Sequence, residues 1–111
     1  MSSTELDSPI SITSDDRRRR AVDRARAAVD MMKEKGISAM VIGSLAKGKF
    51  GPESDIDFLV TSCPRKYKYA IEAEVEDILG DIPFDLIYLE EIRADRVERF
   101  TSGAVDAHAL G

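Results

Sequence analysis

Three features of this sequence predict a small α/β domain, of the α+β kind, in which a short mixed sheet is backed by helices. Three apolar runs, beginning at Ala39, Ile56 and Phe84, are too short for helices and are bounded by Gly, Ser or Pro, as strands are. Two longer segments, Ser14 to Lys35 and Lys66 to Leu79, place apolar residues at helical spacing. Strands and helices alternate, so each helix can lay one apolar stripe on the sheet. With 111 residues the chain has room for one modest core.

Taken in order, residues 1–13 are rich in Ser and Thr, are interrupted by Pro9, and read as a flexible leader. The domain proper is expected over residues 14–103. In its first helix Ser14 stands where an N-cap would, Asp15 and Asp16 fall in the first turn, and Gly36 follows the end. Val22, Ala25, Val29 and Met32 form the inner stripe. Arg17 to Arg20, with Arg24 and Arg26, make the N-terminal half basic; this reads as a solvated face, with a polyphosphate or RNA patch as the alternative. After the second strand Cys63 falls in a loop with no His or second Cys nearby, which describes an incidental thiol. The helix over 66–79 turns Tyr67, Ile71, Val75 and Ile78 inward, and Glu72, Glu74, Glu76 and Asp77 outward. Pro83 stands at the entrance of the third strand, where a missing N–H is tolerated. A loosely helical segment follows from Glu90 to Thr101. Residues 104–111 read as a weakly patterned C-terminal tail, with His108 as a surface or docking residue.

The chemistry concentrates between Ala39 and Val60. At Gly43 the first apolar run ends where a chain can turn sharply, and Ser44 adds a hydroxyl at a helix start. Free N–H groups at such a start attract phosphate, and Lys47 adds positive charge one turn on. Asp55 and Asp57 alternate with Ile56, Phe58 and Val60, so both carboxylates share one strand face while the apolar residues point to the core. Paired carboxylates repel unless a cation lies between them, and hard oxygen donors suit Mg²⁺ or Mn²⁺. In the third strand Asp85 shares its face with Ile87 and Leu89. A carboxylate on an apolar face is costly unless paired or ligating.

Gly43-Ser44-Leu45-Ala46-Lys47-Gly48, followed by Ser54-Asp55-Ile56-Asp57-Phe58-Leu59-Val60, resembles the signature of the minimal nucleotidyltransferases of the DNA polymerase beta superfamily. The resemblance covers roughly Ala39 to Leu89. It implies a nucleotidyltransferase fold, with Asp55, Asp57 and Asp85 as catalytic residues holding two divalent ions, Mg²⁺ or Mn²⁺. It implies that Gly43, Ser44, Lys47, Gly48 and Ser54 bind the nucleotide, ATP being the expected substrate. Members more often carry Arg where Lys47 stands; lysine keeps the charge and loses the bidentate geometry. Stand-alone members of this size are commonly paired with a helical HEPN-type toxin, so the resemblance implies an antitoxin that transfers AMP to a tyrosine of that partner. The alternatives are a non-enzymatic binding antitoxin that masks its partner, and transfer to RNA or a small molecule.

Bulk composition bounds these readings. Sixteen basic against twenty-one acidic residues give a net charge of −5, which opposes general nucleic-acid binding. A single cysteine forms no intramolecular disulfide, and nothing resembles a signal peptide or membrane span, so the expected location is the cytoplasm.

Overall fold

The computed structural model describes residues 14–110; the expected leader over residues 1–13 lies outside them. Helix α1 (Ser14–Glu34) leads through Gly36, which takes a positive φ of 80°, into β1 (Ser38–Ile42). A single-turn helix, α2 (Gly43–Ala46), follows at once, and a loop then leads to β2 (Ile56–Ser62). Helix α3 (Ile71–Leu79) crosses over to β3 (Phe84–Tyr88), and α4 (Val97–Ser102) lies beyond it. The sheet order is β1-β2-β3. β1 and β2 are antiparallel, joined through the short α2 loop, whereas β2 and β3 are parallel, as a crossover helix requires. The mixed sheet backed by helices is the architecture the apolar spacing predicts.

One face of the sheet forms the core. Phe58, Ile56 and Val60 of β2 pack with Val41 of β1 and Tyr88 of β3 against Ala21, Ala25, Ala28 and Met32 of α1 and Ile71, Val75 and Leu79 of α3. The small residues of α1 let that helix lie close to the sheet. Fully buried side chains such as Phe58, Ile56 and Leu45 each contribute about 1.5–3 kcal/mol by leaving water. The second face carries Ile42, Leu59, Asp57 and Asp85 in neighbouring register positions. Leu59, aligned between Met40 and Ile87, is fully buried although it lies on the face that bears the carboxylates.

Three expectations change in the structure. The helix expected from Lys66 begins at Ile71, because Tyr69 takes a φ of 75° that no helix accepts, and Arg65–Tyr67 forms a separate 3₁₀ turn. The arginines of α1 are not simply a solvated face. Arg20 pairs with Asp81 at 2.8 Å, Arg24 donates to the Ile78 carbonyl at 3.2 Å, and half-buried Arg26 donates to the carbonyls of Ala107 and Leu110 at 3.2 and 2.7 Å. The residues after Gly103 join the core: Val105 exchanges backbone bonds with Val41 at 2.8 Å each way, and Ala107 and Leu110 are buried. His108 lies exposed there, its Nε2 2.7 Å from Asp30 Oδ1.

Candidate active site

The three carboxylates lie at the end of the sheet that the three strands share. Parallel pairing aligns Asp57 directly with Asp85, so the two side chains project from adjacent strands on one face. The antiparallel pair aligns Asp57 with Ile42, the last residue of β1, and so brings Gly43 against it. Asp55 stands just before β2 and is exposed, as is Asp85, while Asp57 between them is half-buried. The cost of burial expected for Asp85 therefore falls on Asp57 instead, because the central strand is covered on both sides and the edge strand is not.

The electrostatics follow that placement. Partial burial pushes the Asp57 carboxyl above the ordinary aspartate range, and the charges of Asp85 and then Asp55 push it further. In the folded chain the Asp57 charge is thus worse off than in the unfolded one. Its contribution to stability is most favourable below the ordinary carboxylate pKa and is lost as pH rises through the raised value. A carboxylate in that state gains from any cation delivered to it.

Gly43 fixes the contact on the other side. Its φ is 76°, and a Cβ there would overlap Asp57 Oδ2 and lie 3.3 Å from Asp57 Cγ. Only glycine lets the chain turn this way and lets its backbone approach the carboxylate. The turn opens α2, whose N-cap, Ile42, makes no side-chain capping bond. The first N–H groups of so short a helix have no acceptors within it, and groups of that kind attract anionic oxygen. Half-buried Ser44 is the second residue of α2, and its carbonyl accepts the Lys49 N–H at 2.8 Å.

The remaining expected site residues lie around this centre with different surroundings. Lys47 ends α2, is exposed, and forms no ion pair among the described residues. Gly48 takes a φ of 74° with open space about it, so glycine is required there by the turn alone. Ser54 serves its own loop, since its Oγ accepts the Gly51 N–H at 2.9 Å and closes the chain just before Asp55. The approach of Gly43 to Asp57 was not legible from the chain, although glycine immediately after an apolar run was the available signal.

The donor set fits divalent cations. Three carboxylates supply hard oxygens, and the Asp57 carboxyl is held above its ordinary range first by burial and then by the charges of Asp85 and Asp55. Among the described residues no three acidic, His or Cys side chains are gathered closely enough to cage an ion already. The charges of Asp85 and Asp55 act on Asp57 through space without the three carboxylates converging, so a cation would have to draw them together. No described helix is long and apolar enough to cross a membrane.

The family model described as "Nucleotidyltransferase domain" matches residues 22–106, which include every carboxylate and glycine of the site. No curated protein matches the chain. Among solved structures the fold is similar to a protein provisionally described as a minimal nucleotidyltransferase, with a TM-score of 0.63 and 23% identity over 78% of this chain and 93% of that one.

Proposed function

This chain belongs to the nucleotidyltransferase domain family, and from that premise we propose that it transfers a nucleoside monophosphate, AMP from ATP, to a tyrosine hydroxyl of a protein partner. The observation that carries the reading is the alignment of Asp57 with Asp85 on adjacent parallel strands, with the Gly43 turn pressed against Asp57. That arrangement supports the reading because a glycine turn and two carboxylates on adjacent strands lie side by side. The partner, by the resemblance of the motif, is a HEPN-type toxin, and the chain acts as its antitoxin. Asp85, exposed on the edge strand, leaves the acceptor side open to a residue of another molecule.

Divalent cations, when bound, neutralise the charge that develops on the attacking and leaving oxygens. Asp57, central and pinned by Gly43, would hold them, with Asp55 and Asp85 on its flanks. The N–H groups of Gly43 and Ser44 would hold the outer phosphates, and Lys47 would add charge there. Asp85 lies on the strand farthest from that turn and would take the proton of the incoming hydroxyl. No side-chain nucleophile is needed.

The experiment is incubation with the partner, ATP and Mg²⁺ or Mn²⁺, followed by intact mass measurement. One or more added AMP groups on the partner is the expected result, absent with Asp57→Asn and with Asp85→Asn. Neutralisation of the toxin with no mass added would instead establish a masking antitoxin. Label appearing on RNA or a small molecule without any protein partner would move the acceptor to that class.

A further inference from the structure

The chain closes one edge of its sheet and leaves the other open. On the β1 side Val105 exchanges backbone hydrogen bonds with Val41 at 2.8 Å each way, and Arg26 holds the segment that follows. On the β3 side no further strand or bridge is found among the described residues. The Ile56 N–H donates to the Pro83 carbonyl at 2.9 Å, and that bond sets the phase of the ladder. Asp85 and Ile87 turn their backbone groups toward β2, so Phe84 and Leu86 turn theirs away from it. Among the described residues neither Phe84 nor Leu86 makes a backbone hydrogen bond on that outer side.

Open edges are commonly blunted by lysine, proline or a bulge within the strand. Phe84–Tyr88 contains no lysine or proline, and its register with β2 is unbroken. Its one charge, Asp85, lies on the face of Asp57. The groups that complement such an edge are the alternating N–H and C=O of another extended chain, which a nucleic acid does not present. A second copy fits badly. Antiparallel self-pairing along the whole of β3 centres on Leu86 and sets the two Asp85 side chains diagonally, about 7–8 Å apart. That adds negative charge beside Asp57, which burial and two carboxylates already disfavour as an anion.

We propose that the β3 edge takes an extended segment of a protein partner as an antiparallel fourth strand, and that this segment carries the acceptor tyrosine opposite Asp85. The proposal rests on the nucleotidyl-transfer reading above and names how its acceptor docks. Because the Asp85 backbone faces β2, the residue opposite it stands in a non-hydrogen-bonded pair, where facing Cα atoms are about 4.5 Å apart and side chains are closest. That residue projects on the face that bears Asp57 and Asp85. The residue two positions before it faces half-buried Ile87, which favours an apolar side chain there. In the transfer so served, the tyrosine oxygen bonds the α phosphorus, the bond to pyrophosphate breaks, and the phenolic proton passes to Asp85.

The test is an NMR titration of the ¹⁵N-labelled full chain, free of metal and nucleotide, with acetyl-Thr-Val-Thr-Tyr-Thr-amide and two forms of it methylated on one backbone nitrogen. In the proposed register the N–H of the middle Thr points at Leu86, and that of Val points away from β3. The unmodified peptide should shift the Phe84 and Leu86 amides saturably and slow their exchange with solvent. Methylation at the middle Thr should weaken binding about tenfold or more, and methylation at Val less than about threefold. Equal losses from the two methylations, shifts confined to other regions, or no saturation would overturn the proposal. So would concentration-dependent shifts of the same two amides without peptide, which would assign the edge to a second copy. With ATP and Mg²⁺ added, docking at β3 without transfer would refute the catalytic reading alone, and transfer to a protein partner without docking at β3 would refute this proposal alone.

Discussion

Replacing Gly43 with alanine tests the contact on which the site geometry turns, and the structure sets the size of the effect. Two penalties apply. Alanine at a φ of 76° costs about 1–2 kcal/mol. The new Cβ also overlaps Asp57 Oδ2, so the carboxylate must swing out of its rotamer, at about 0.5–1.5 kcal/mol. The sum is roughly 1.5–3.5 kcal/mol, and in a domain of this size each kcal/mol lowers Tm by about 4–8 °C. In an Asp57→Ala background the offending oxygen and Cγ are gone, and the nearest remaining atom, the Cβ of residue 57, sits at an ordinary 3.4 Å. There Gly43→Ala should cost only the backbone share. Four proteins, followed by circular dichroism in thermal and urea unfolding, give a coupling energy of about 0.5–1.5 kcal/mol. If Gly43→Ala were equally costly in both backgrounds, the claim that this turn is shaped around Asp57 would be refuted.

Further outcomes follow from the same geometry. Asp57→Asn removes a charge disfavoured by burial and by Asp85 and Asp55, so metal-free Tm at neutral pH should be unchanged or higher, with the difference vanishing near pH 3, where the carboxyl is protonated in either state. Mg²⁺ or Mn²⁺ should raise the Tm of the unaltered chain, by about 2.7 kcal/mol of stabilisation at a hundredfold excess over Kd, and should leave Asp57→Asn where it was; equal shifts in both would remove the metal from this site. Arg26→Ala deletes charged donors to the Ala107 and Leu110 carbonyls, at about 1–3 kcal/mol after allowance for partial exposure, and should speed hydrogen exchange of the Val105 amide; unchanged exchange would mean the closing segment is held by Val105, Ala107 and Leu110 alone.

Much of the fold was legible because its strands and helices are local patterns. The period of Val22, Ala25, Val29 and Met32 and the alternation of Asp55, Ile56, Asp57 and Phe58 are set by backbone geometry. The start of α3 was not, since Tyr69 is a residue that rarely takes a positive φ and gives no warning of doing so. Nor was the closing segment: Val105, Ala107 and Leu110 have no period of their own and become core residues only because β1 offers an unpaired edge at Val41. Arg20, Arg24 and Arg26 looked solvated for a related reason, as their partners lie 61, 54 and more than 80 positions away.

The chain by itself determined which chemistry is available: a glycine that can turn, a serine after it, and aspartates spaced to share a strand face. Pattern of this kind survives in one dimension because strand and turn geometry act over a few residues. Tertiary structure alone decided that Asp85 stands level with Asp57 and that the burden of burial falls on the central carboxylate. Those are distances between segments far apart in the chain, fixed by strand register and helix packing, to which local sequence carries no reference.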